Sequence, residues 1–76
     1  MNKKRRERLR AAIDQLETVQ TDIDDIKSEE EDAYENLPES IQMSERGDEM
    51  QSIIDTIDTA SGYIQDAIAD LAEIAG

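Results

Sequence analysis

Residues 50–75, MQSIIDTIDTASGYIQDAIADLAEIA, decide how this chain folds. Met50, Ile57, Ile64 and Leu71 recur every seven residues, flanked by Ile53, Ala60, Ala67 and Ile74 on one side and by Ile54, Ser61, Ile68 and Ala75 on the other. Apolar residues at such spacings share one face of an α-helix, and Asp55, Asp58, Asp66, Asp70 and Glu73 fall on the opposite face. An apolar face three positions wide exceeds the seam of a two-stranded coiled coil, so this helix needs several neighbours.

Upstream, Leu9, Ala12, Ile13, Leu16, Val19, Ile23, Ile26, Ala33, Tyr34 and Leu37 follow the same threes and fours. A strict seven-residue register through Leu9, Leu16 and Ile23 meets Glu30, and its companion through Ile13 meets Gln20 and Lys27. The segment from Ser28 to Asp32 therefore reads as a weakened, solvated stretch of the first helix. Pro38 lacks an N–H and restricts Leu37, so the helix should stop there or kink. Ser44 is a candidate cap for the second helix, with Asp48 and Gln51 as an alternative capping box, and both place acids at a positive helix end. The expected architecture is all-α: one domain formed by an antiparallel helical hairpin, helix 8–37, linker 38–43 and helix 44–75, with arms about 45 Å long. Two helices cannot enclose a core, so the hairpin is expected to dimerise into a four-helix bundle.

Zero cysteines and zero histidines exclude a disulfide framework, a thiolate nucleophile, an imidazole base and an ordinary zinc site. Hydrophobic and charged residues each make up 37% of the chain, a composition near the disorder boundary that only the helical periodicity argues away. The apolar run that would make MNKKRRERLR a secretion signal is interrupted by Asp14, Gln15 and Glu17, and no stretch approaches the roughly 20 apolar residues of a membrane span. A soluble protein of the cytoplasm is expected.

Charge is distributed unevenly. Residues 1–10 carry six cations against Glu7, a net of +5, whereas residues 11–76 carry 19 acids against Lys27 and Arg46, a net of −17. Such a surface repels nucleic acid and attracts basic partners. The N-terminal cations read either as an arm for nucleic acid or membrane, or as partners for Asp66, Asp70 and Glu73 on the returning helix. Without Phe or Trp to stack on bases, direct nucleic-acid binding is disfavoured. Asp22-Asp24-Asp25, Glu29 to Asp32 and Asp55-Asp58 lack the loop spacing and turn glycine of a calcium hand, so no metal or cofactor is expected. Ser40 and Ser44 have no base beside them, and paired carboxylates on a two-helix chain have no pocket to separate their pKa values, which argues against catalysis.

The linker is the most specific segment. Leu37, Ile41, Met43 and Met50 alternate there with polar residues, and Glu39, Ser40, Gln42, Ser44, Glu45, Arg46 and Asp48 are the candidate partner-binding residues. Arg46 either clamps Glu39 or Glu35 to fix the turn, or receives a carboxylate or phosphate from outside. The run Asn36-Leu37-Pro38-Glu39-Ser40-Ile41-Gln42, followed by Ser44-Glu45-Arg46-Gly47-Asp48 and Met50, resembles a group of short acidic helical proteins from phages and mobile elements of Gram-positive bacteria. That resemblance implies a setting in which small acidic proteins antagonise host defence, CRISPR nucleases included. Seventeen net charges along about 45 Å amount to one per about 2.6 Å, and one per about 1.3 Å in a side-by-side dimer, against about 1.7 Å for duplex DNA. The leading expectation is an acidic nucleic-acid mimic that inhibits a basic host defence protein. Its alternatives are an oligomeric sponge for an anionic signalling nucleotide and an adaptor in phage assembly or regulation.

Overall fold

A computed structural model describes all 76 residues and places 68 of them in three helices: α1 (Lys3–Glu35), α2 (Glu39–Gln42) and α3 (Glu45–Ala75). The two long helices pair along their length in a rod measuring 58 × 14 × 12 Å. Their directions are opposed: Arg10 donates to the Ala75 carbonyl at 3.0 Å, Gln20 to the Ser61 hydroxyl, and Lys27 to Asp58 at 2.7 Å. No helix is long and apolar enough to cross a membrane.

α1 begins at Lys3, five residues before the expected start, because Asn2 caps it: its Oδ1 accepts the Arg5 backbone N–H at 2.8 Å. The cap holds although the first turn is basic, which the helix dipole disfavours. At the other end α1 stops at Glu35, two residues short of the expected boundary. Pro38 pulls Leu37 out of the helical conformation, and the Leu37 N–H turns back to the Tyr34 carbonyl at 3.1 Å. The expected linker 38–43 is itself a helical turn, α2, whose backbone N–H groups at Ile41 and Gln42 both reach the Pro38 carbonyl.

Ser44 occupies the N-cap position of α3, and the helix proper starts at Glu45. Its side chain does not cap. The hydroxyl donates instead to the Ile41 carbonyl, and Asp48 and Gln51 lie inside the helix.

Solvent is excluded along one strict heptad. Its a positions are Ile13, Gln20, Lys27 and Tyr34 on α1, and Gly47, Ile54, Ser61, Ile68 and Ala75 on α3. The d positions are Leu9, Leu16, Ile23, Glu30 and Leu37, and Met50, Ile57, Ile64 and Leu71. Every one of these is buried or half-buried. α1 is thus continuous through Ser28–Asp32, where a solvated break was expected, and the polar residues Gln20, Lys27 and Glu30 lie within the seam instead of interrupting it. Val19 and Ile26 are displaced to the outside, 43% and 50% exposed.

The turn closes on Gly47. A Cβ there would lie 2.0 Å from the Gln42 carbonyl oxygen, so only glycine lets the α2 backbone rest on the first turns of α3. Gln42 completes the junction. Its Nε2 donates to the Tyr34 carbonyl at 3.0 Å, which also accepts the Leu37 N–H, and to the Leu37 carbonyl at 3.2 Å, tying the end of α1 to α2.

Candidate interaction surfaces

Heptad pairing of antiparallel helices sets the e positions of both on one flank and the g positions on the other. The two flanks differ sharply. On the e flank, Asp24 accepts hydrogen bonds from Gln20 and from Ser61, both at 3.1 Å. One helical turn on, Lys27 bridges Asp58 at 2.7 Å and Glu31 at 3.5 Å. The carboxylate of Asp58, hydrogen-bonded to the ammonium, and the nearby charge of Glu31 hold the Lys27 pKa above its usual 10.5, although burial opposes them.

The g flank carries Ala12, Val19, Ile26 and Ala33 on α1 and Ile53, Ala60, Ala67 and Ile74 on α3. All eight are exposed. Polar cross-links are confined to the e flank and the seam, leaving the g flank apolar between Arg5 on α1 and Arg46 on α3, the cations at its two ends.

At the turn, the seven candidate partner-binding residues separate into two groups. Gln42 and Ser44 are half-buried and direct their hydrogen bonds into the turn. Glu39, Ser40, Glu45, Arg46 and Asp48 are exposed. Arg46 has no carboxylate within ion-pair distance, so neither Glu35 nor Glu39 is clamped by it; the Gln42 amide holds the turn in its place. The N-terminal cations are also without carboxylate partners. Asp66, Asp70 and Glu73 form no ion pair with them, and the one contact they make across the pair is that of Arg10 with the Ala75 carbonyl, a cation at a helix C-terminus.

Concave surface is scarce. An open groove of about 400 Å³ lies between Arg10, Ile13 and Asp14 on α1 and Ala72, Ala75 and Gly76 at the end of α3. Asp14 is the one side-chain carboxylate that lines it. What the molecule offers outward is charge: of 20 carboxylates, only Glu31 and Asp58 stand within ion-pair distance of a cation.

Averaged over the whole rod, the net −12 is one charge per about 4.8 Å, and a side-by-side pair of rods would carry one per about 2.4 Å. That is sparser than the density expected for residues 11–76 alone, because the rod also includes its basic end. Comparison of the chain with models of known families, with curated proteins and with solved structures returns no match.

Proposed function

We propose that this is a non-catalytic interaction protein that binds a host protein with a basic, nucleic-acid-handling surface and keeps it from its nucleic acid. The observation that carries this reading is the stiff acidic rod itself, with all but two of its carboxylates free of an intramolecular counter-charge. Carboxylates already fixed on a helical frame meet a cationic groove with little ordering cost, and their summed field accelerates encounter. Two copies side by side, joined in a four-helix core, bring the linear charge nearer to that of duplex DNA. The exposed turn residues Glu39, Ser40, Glu45, Arg46 and Asp48 supply recognition beyond charge. The phage or mobile-element setting implied by residues 36–50 makes a bacterial defence nuclease the natural target, in the cytoplasm of the host cell.

The test is capture of binding proteins from bacterial lysate on the immobilised protein, followed by challenge with duplex DNA and with salt. DNA should displace the captured protein, and affinity should fall by at least tenfold between about 50 and 300 mM salt. A partner retained equally at both salt concentrations, or unmoved by excess DNA, contradicts mimicry. Arg46→Ala with helicity unchanged should weaken capture if the turn contributes to recognition.

A further inference from the structure

We infer that the apolar g flank is where a second copy of this chain docks, with the two rods turned end for end, so that the turn of one lies over the N-terminus of the other. This deepens the four-helix part of the reading above and rests on it.

Seven large hydrophobic side chains are exposed, and Val19, Ile26, Ile53 and Ile74 all lie in the g register. Tyr63, 70% exposed, joins them. It sits three residues after Ala60 and four before Ala67, so the two alanines flank it on the same face of α3. Five of the seven therefore share one side of the rod, the side that polar cross-links avoid. The apolar flank, residues 12–33 beside 53–74, runs about 32 Å and covers on the order of 450 Å². Overlap of the charged poles beyond it extends the contact between two rods toward the roughly 800 Å² each partner contributes to a standard-size interface.

A second copy is the occupant because the four apolar positions on each helix repeat symmetrically about their midpoint and so match themselves when reversed, and the distribution of charge, against the overall repulsion of two acidic chains, fixes the direction. Lys3, Lys4, Arg5, Arg6, Arg8 and Arg10 crowd one pole without an ion-pair partner, and with Glu7 and the Asp66, Asp70 and Glu73 of the returning helix that pole carries a net of +2, while residues 28–50 at the other pole carry nine acids against Arg46 alone, a net of −8. Stacking rods with their turns at the same end would set the two acidic poles against each other. Turning one rod end for end sets each basic pole over an acidic one, the self-complementary arrangement of a two-fold dimer.

The two-fold then crosses the middle of the flank. On α3 the midpoint between Ile53 and Ile74 falls at Tyr63, which meets the partner's Tyr63; on α1, Val19 meets the partner's Ile26. The same symmetry brings the Asp22 carboxylates near each other, but at the exposed rim, where salt screens them.

The chain contains no cysteine, which makes the test clean. Tyr63→Cys should form a disulfide-linked dimer on mild oxidation, whereas Ser28→Cys, on the outward face, should not. Nitroxide labels on Met43→Cys, next to the turn, should stand roughly a rod length apart by electron-electron resonance. Ile26→Glu should weaken association at least tenfold in sedimentation equilibrium and leave helicity intact, since Ile26 is half exposed in the single chain.

Labels close together would overturn the orientation. A monomer at high concentration, or an Ile26→Glu protein that dimerises as before, would overturn the interface. A monomer that still captured a DNA-displaceable basic partner would remove this inference and leave the acidic-rod reading standing; a dimer that captured nothing would do the opposite.

Discussion

Gly47 and Gly62 carry opposite expectations for the same substitution. Both lie inside α3, where alanine ordinarily gains up to about 1 kcal/mol over glycine. At Gly62 an added Cβ meets nothing within 4 Å, so Gly62→Ala should raise the unfolding midpoint. At Gly47 the methyl would collide with the Gln42 backbone and force α2 off α3, so Gly47→Ala should cost about 2 kcal/mol or more. Urea titrations of the two variants check both signs, and equal effects would mean that the close approach at Gly47 is not required. Lys27 supplies a pH-dependent prediction. Its pKa is raised in the folded protein, so the folded state holds this proton more tightly than the unfolded chain. The resulting stability is fully present below about pH 10.5 and fades as pH climbs through the raised value. Thermal unfolding followed from pH 9 to above pH 11 should show this loss, with a smaller decline in Lys27→Met.

Within the elements, the polar layers of the seam determine how α1 and α3 align. Gln20 and Lys27 occupy a positions and Glu30 a d position, all three half-buried, and at Gln20 the cost is visible: its buried Oε1 has no hydrogen-bond partner. An a-position polar residue that finds its partner in only one alignment, as Gln20 does with Ser61, penalises every slipped register. Gln20→Leu should therefore raise stability by about 1 kcal/mol, since it removes the orphaned oxygen and fills the seam. It should also broaden the range of alignments, visible as extra amide resonances by NMR. A destabilised Gln20→Leu protein would show instead that the layer with Ser61 and Asp24 is a net source of stability. The seven-residue repeat that the sequence displays is thus the same repeat that the structure buries, but the apolar residues were not its only members. Val19 and Ile26 are more hydrophobic than Gln20 and Lys27, yet lie outside.

For the whole molecule, self-repulsion is the dominant long-range force. With a net charge of −12 and only two ion pairs, the folded rod concentrates its acids more than the unfolded chain does. Raising salt from about 10 to 150 mM shortens the Debye length from about 30 to 8 Å and should raise the melting temperature. A fall would mean that attractive pairs, notably those of Lys27, outweigh the repulsion. The same screening weakens a charge-driven partner complex, so folding and binding should respond to salt with opposite signs. That opposition separates electrostatic recognition from general stabilisation by salt.

Two long amphipathic helices, their acid-rich outer faces, the stop before Pro38 and the seven-residue period were legible from the residues alone, because each depends on neighbours within one helical turn or on the chemistry of a single side chain. The start at Lys3 was hidden because one asparagine cap outweighs a basic first turn, a balance that composition does not display. From the residues alone the turn reads as a linker in which Arg46 either clamps Glu39 or Glu35 or faces an outside anion; it is a helical turn held by Gln42 and admitted by Gly47, and both contacts join residues that meet only after the chain reverses. Which of three apolar registers is buried was likewise a tertiary decision. Straight helices in antiparallel contact present only two adjacent registers to one another, so pairing consumed a and d, and the third was left on the surface as a continuous apolar flank.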